Sequence, residues 1–340
     1  MVTRPSTVRG PITHFDVRAA AESFCALSTA MVSIWAIALK SVSGTRDHHD
    51  MRGPFIGSEA VARGAISRGA LRWNYSAVHP DIYLRKDACR DLYARTVTAW
   101  LWTGRTGIVT GRAAAALHGV TWVDDTAPVE LIAKHGRSRP GVVIREERIA
   151  EDEVRYVGDL PVASPARTAL DLGRHLERDS AVAHIDAIAA VTALTRDEIR
   201  FLERRYQRAR GIRAARIATG LMDGGARSQE QSQLRLQLID AGLPRPRTSI
   251  VVRDDLWGAV IAMGWDGPKV GVDCFYAEDT DRYRAVQQIA TEELFQRRGW
   301  LHFRITPDHT AISAIRRVRA ALQQRRMRTR STTEERETFS

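Results

Sequence analysis

At 340 residues the chain is long enough for two ordinary domains, each able to bury a real core. Its 51 Lys and Arg against 40 Asp and Glu leave a formal charge of +11, carried mostly by arginine, whose planar fork pairs well with phosphate. That balance favours a polyanionic partner, although a proteome that prefers Arg to Lys produces the same excess. Three cysteines, Cys25, Cys89 and Cys274, stand far apart, which argues against a disulfide framework or a cysteine zinc site and fits a reducing cytoplasm.

Residues 1–53 read as a poorly structured extension, with Met51 as an alternative start. Its apolar stretch ALSTAMVSIWAIALKSV (26–42) is short for a membrane span and broken by Ser and Thr, and Asp16 and Glu22 before it weaken a secretion signal. No membrane attachment is expected. His48 and His49, with aspartates beside them, are read as solvated linker rather than as a metal site.

Over 54–90, SEAVARG offers Ser58 as an N-cap for a short helix ended by Gly64, and SRGALRWNY offers Ser67 as a second N-cap. Two short helices around a glycine turn predict helix-turn-helix. The following SAVHPDIYLRK, with Val78, Ile82 and Leu84 around Pro80, predicts a small two-stranded wing. In that arrangement the second helix enters the major groove of double-stranded DNA, and Arg68, Arg72 and Asn74 reach bases or phosphates. A structural helical cap with exposed arginines fits the same pattern.

Residues 91–225 read as a middle α+β region. DLYARTVTAWLWTG and TGRAAAALHGV are helical by apolar spacing and alanine content. PVELIAKHGRSRPGVVIREERI alternates apolar and polar residues on both sides of a Ser-Arg-Pro-Gly turn, which predicts a β-hairpin. In LPVASPARTALDLGRHL, Ser164 caps a helix and Pro165 takes its first position. Arg167 and Asp171 then fall four apart, the spacing of a surface support pair, and receive no chemical role. The arginine-rich stretch 195–222 carries an apolar stripe of Ile199, Leu202 and Tyr206. It could grip a phosphate backbone, but a solvated helical face is the commoner explanation.

The segment 226–322 orders itself as helix, strands, helix, strand, helix: an α/β unit with a mostly antiparallel or mixed sheet covered by helices. Leu234, Leu238 and Ile239 give its first helix an apolar face that Gly242 ends, and Glu230 stands at its start. Residues 323–340 continue a helix and then become a polar basic tail.

These residues carry a resemblance. Region 226–322 resembles the domain of unknown function related to very-short-patch repair endonucleases, within the PD-(D/E)XK superfamily, and 54–120 resembles the N-terminal winged helix of AbiEi-type antitoxins. The phrases PFIGSEA, SPARTALDL, LRLQLIDAGLPRPRT, MGW and RRGW are similar to those of a set of actinobacterial hypothetical proteins. The resemblance implies a restriction-endonuclease-like sheet and a nuclease site of clustered carboxylates, which hold Mg²⁺ and activate water against a phosphodiester. Glu230 matches the helix acid and Asp273 one strand acid. The family's central Asp is Ala262 here, its next strand acid is Phe275, and the histidine expected soon after is missing. Asp254, Asp255, Asp266, Glu278 or Asp279 would have to replace the lost ligands, Asp266 from a turn beyond its strand.

The expectation is therefore a cytoplasmic DNA-binding protein, regulatory or antitoxin-like, with a nuclease-like domain that has lost key ligands and no cofactor. The alternatives are a Mg²⁺-dependent endonuclease using Glu230, Asp273 and Asp266, and an antitoxin acting through protein contact with a neighbouring toxin. Duplex DNA, that toxin, or a second copy of the chain are the expected partners.

Overall fold

The computed structural model describes residues 51–134, 138–255, 257–274, 282–306 and 308–338, the side chains of 282–287 and 328–338 excepted. Cys25, His48, His49, Phe275, Glu278 and Asp279 lie outside these. The described chain is mixed α and β, with three sheets and eleven helices, an α+β organisation of several units. No described helix is long and apolar enough to cross a membrane.

The first unit holds β1 (Phe55–Ile56), α1 (Gly57–Ala62), α2 (Arg68–Asn74), β2 (Tyr75–His79) and β3 (Ile82–Arg85), its strands ordered β1-β3-β2 and antiparallel. Ser67 caps α2 as expected, accepting the Ala70 N–H at 3.1 Å. Ser58 does not cap α1. The helix starts two residues earlier, with Ile56 as its N-cap, and Gly57 lies so close to Tyr83 that a Cβ there would meet the ring at 2.4 Å. Asp81, in the β2–β3 turn, takes over the capping and accepts the Ser58 N–H at 2.9 Å.

The middle unit begins with α3 (Leu92–Trp102), followed by β4 (Ile108–Thr110), α4 (Gly111–Leu117), β5 (Val129–Ile132), β6 (Val142–Arg145), β7 (Val154–Val157) and β8 (Leu160–Ala163). The five strands form one sheet ordered β6-β5-β4-β8-β7. Strands β5 and β6 pair in parallel, Val129 with Val142 through Ile132 with Arg145, so the expected hairpin is absent. Alternation specifies which face a side chain takes and not the direction of the strand. Each of these strands has only four residues, so the short segment 133–141 can return to the starting edge. The tight turn lies at its end, where Arg139 bridges Val142 and Gly141 takes φ 78°.

Four helices follow: α5 (Pro165–His175), which packs on β4 and β8, and α6 (Arg178–Thr192), α7 (Arg196–Arg205) and α8 (Ile212–Leu221), which pack around α5. Ser164 caps α5 with Pro165 in its first turn, as expected from the local chemistry. Thr195 and Glu198 form a full capping box on α7.

In the last unit, α9 (Gln229–Asp240) leads into β9 (Arg247–Arg253), β10 (Gly258–Trp265), β11 (Val270–Cys274), α10 (Arg282–Arg297), β12 (Leu301–Ile305) and α11 (Ala311–Thr338). The sheet is mixed, ordered β12-β11-β10-β9 with only β11 and β12 parallel. Helix α9 serves two cores: Leu236 joins the cluster of Val182, Ile185 and Ile188 on α6, while Leu234 and Leu238 join Met263, Val272 and Val318. Between them Arg235, fully buried, donates to Asp186 at 2.7 Å and to the Leu221 carbonyl at 2.7 Å. Helix α11 runs unbroken for 28 residues, so the backbone of the expected polar tail is helical through Thr338.

Candidate nucleic-acid interface

Helix α2 carries no buried residue; it sits on the small core of Phe55, Ala60 and Tyr75 through half-buried Leu71 alone. Arg68 and Arg72 stand one turn apart and exposed, with exposed Asn74 and with Trp73 at 77% exposure beside them. Lys86, at the end of the hairpin, donates to the Trp73 carbonyl at 2.7 Å and ties the C-terminus of α2 to β3. Arg68 and Arg72 thus share one exposed side of a supported helix, whereas Asn74, two residues beyond Arg72, leaves it on the other side.

Glu230 lies in the first turn of α9, half-buried, and Asp273 lies near the end of β11. The two approach the same neighbour: burial, helped by the charges of Asp273 and Glu230, pushes the Cys274 thiol up to about 12. The register that pairs Met263 with Val272 brings Ala262 beside Asp273, so the two acid positions of the resemblance are cross-strand neighbours. Here the Ala262 N–H donates to Asp273 Oδ1 at 2.6 Å, and His302 Nε2 lies 2.8 Å from Oδ2. Both carboxylate oxygens are therefore engaged within the sheet, and the methyl group at 262 offers no ligand. Asp266 is in the turn after β10 and pairs with Arg247 at 2.9 Å, and Asp254 is held by Arg297 at 2.9 Å. The described residues do not fit a Mg²⁺ site at this place. His302, which reaches Asp273 from a neighbouring strand, was missed because a β-strand histidine 29 positions away carries no local signal.

The largest correction lies in the middle unit. Arg167 and Asp171 do not form a surface pair, since Arg167 is 0% and Asp171 1% exposed. Arg167 Nε donates to both Asp171 oxygens at 3.0 Å, its NH1 to Glu153 at 2.8 Å and its NH2 to Glu147 at 3.3 Å. The guanidinium stacks over Tyr206, 4.7 Å from the ring centre. Thr110 donates to Asp171 at 2.7 Å, and Arg174 bridges Asp171 and Glu147 at 3.1 and 2.6 Å. Arg205 and the Tyr206 hydroxyl close the cluster on Glu153, at 2.6 and 2.8 Å. Burial raises the Glu147 carboxyl, but hydrogen bonds and charge from His175 and Arg174 outweigh it and bring it down to about 2. Burial and the bond to Glu153 push the Tyr206 phenol up to about 12.

Residues 105–224 match the AbiEi antitoxin C-terminal domain. The matched segment runs from just before β4 to just after α8 and contains every member of the buried charge cluster. Two uncharacterized proteins of Mycobacterium tuberculosis, MT2308 and Rv2248, are each 33% identical to this chain over 157 residues, 46% of the chain and 57% of their own length. The chain thus spans little more than half the length of the curated relatives it matches. A crystal structure of the RV2827C protein from Mycobacterium tuberculosis is 12% identical, and the likeness covers 64% of this chain and 84% of that one at a TM-score of 0.36.

Among the described residues, Glu147, Asp171 and His175 are the one group whose ligand atoms lie close enough together to hold a metal ion, all within 4.8 Å. Arg167 and Arg174 already occupy the space between these carboxylates, so a cation would have to displace two guanidinium groups at contact distance. The cluster is better suited to holding the sheet, α5 and α7 together than to binding metal.

Proposed function

We propose that the chain is an antitoxin-type regulator that binds duplex DNA through α2, with the β2–β3 hairpin as its wing. The observation that carries the reading is the exposed pair Arg68 and Arg72 on one side of α2, set on a chain whose middle unit matches an antitoxin domain. Arg68 occupies the first position of α2, at the positive end of the helix dipole, where folding gives no reason for a cation. A phosphate or a base edge supplies that reason. In this reading the α9–α11 unit is a nuclease-like frame without nuclease chemistry, since Asp273 is spent on Ala262 and His302.

The test is fluorescence anisotropy of the full chain with labelled duplex DNA over a salt series. Affinity falls as salt rises, and the Arg68→Ala, Arg72→Ala double variant lowers the slope of log K against log salt by about 2, nearly one for each phosphate left without its cation. Binding that ignores salt, or a double variant with the parent's slope, would refute the reading. Plasmid nicking in Mg²⁺ that disappears in Glu230→Ala, Asp273→Ala would instead restore the endonuclease.

A further inference from the structure

Between α7 and α8 the chain makes a loop, and this loop, the start of the β6–β7 connection and the end of α5 border an open groove of about 620 Å³. Five arginines line it, at 148, 174, 205, 208 and 210, against one carboxylate, Glu147. Two of the five are committed: Arg174 to Glu147 and Asp171, and Arg205 to Asp152 and Glu153. Arg148, Arg208 and Arg210 are exposed, and their guanidinium groups meet no carboxylate among the described residues. Glu147 is likewise spent on Arg174 and His175. The groove therefore carries a surplus of about three positive charges that folding does not neutralise.

The wall is built rather than loose. Arg174 Nε donates to the Arg210 carbonyl at 2.9 Å, which fastens the loop to α5. Gly211 makes that contact possible: it takes φ 80°, and a Cβ there would lie 2.3 Å from the Arg174 carbonyl oxygen. The same glycine is the N-cap of the ten-residue α8, which no side chain caps, so the positive end of a helix dipole lies beside the loop arginines.

We propose that this groove binds the phosphate groups of a small phosphorylated ligand of nucleotide size. Its volume lies within the roughly 300–1,000 Å³ of small-molecule sites. Arginines lining one groove without carboxylate partners suit bidentate phosphate recognition, and Tyr206 lines the groove beside them. No residue of the groove lies on α2, so phosphate binding here is independent of DNA binding there.

Isothermal titration of the full chain with ATP, GTP and inorganic pyrophosphate tests the proposal. At least one of these binds, and Arg208→Gln, Arg210→Gln weakens it by roughly tenfold or more, as expected when charged hydrogen bonds are removed. Both side chains are exposed, so the variant keeps the parent's unfolding midpoint. Arg208→Lys, Arg210→Lys retains part of the affinity, and Arg68→Ala, Arg72→Ala retains all of it. Equal affinity in the parent and the glutamine variant, or no binding of any of the three at millimolar concentration, would overturn the proposal. So would a glutamine variant that loses duplex affinity in a chain that binds no nucleotide, which would assign these arginines to nucleic acid.

Discussion

On α2, Arg68 and Arg72 stand one turn apart in solvent with a tryptophan next to them, whereas on α5 Arg167 stands one turn before an aspartate and neither is exposed. The spacing is the same and the energetics are opposite. A buried guanidinium loses its hydration and is tolerated only because Asp171, Glu153, Glu147 and Tyr206 replace it from several directions. An exposed one gives up nothing on folding and remains available to a partner. The pair of helices shows where in this chain arginine holds structure and where it is free to bind.

That contrast can be broken at α5 first. Arg167→Met leaves Asp171 and Glu153 buried without their shared cation and should cost about 3–5 kcal/mol in urea unfolding; a loss below about 1 kcal/mol would mean the cluster is not held as described. Glu147 sharpens the same side through pH. Its folded-state value of about 2 lies below the ordinary 4.5, so the stability it contributes is complete above about pH 4.5 and is lost as pH falls toward 2. The contribution is about 3 kcal/mol at roughly 1.4 kcal/mol per pKa unit. It is read as the difference in acid unfolding between the parent and Glu147→Gln; identical acid limbs would remove Glu147 from the cluster's energetics. Gly211→Ala forces a left-handed backbone and a contact with Arg174, and should destabilise by about 1–3 kcal/mol in thermal melts. An unchanged midpoint would show that the loop is not fastened to α5. Smallest of all, Arg68→Ala and Trp73→Ala on α2 should alter stability by no more than about 0.5 kcal/mol, and a larger loss would mean that α2 is packed rather than free.

Features decided by neighbouring residues were legible in the sequence. Ser67 before α2 and Ser164-Pro165 before α5 act on N–H groups three residues away, so their chemistry is visible locally. Long-range competition was not visible. Asp81, 23 positions from Ser58, took over the start of α1, and the partners of Arg167 at Glu153 and Glu147 lie 14 and 20 positions before it. A run such as PARTALDLG shows a charged pair but not whether the chain will fold over it. The parallel pairing of β5 and β6 was hidden for a related reason, since alternating residues describe a strand's two faces and leave its direction open. Of the candidate site, the i,i+4 placement of Arg68 and Arg72 on one helix was within reach of the sequence, while the occupation of Asp273 by His302 was not.

Helix α9 links the fates of two units. Leu236 belongs to one hydrophobic core and Leu234 and Leu238 to the other, with Arg235 locked onto Asp186 between them. A chain cut after residue 225 would strip the middle unit of a core leucine and leave the Asp186 carboxylate without its cation. The antitoxin-like segment is thus tied to the α9–α11 unit by a shared core helix: the two should melt in a single transition, and a protease should find no stable fragment ending at their boundary.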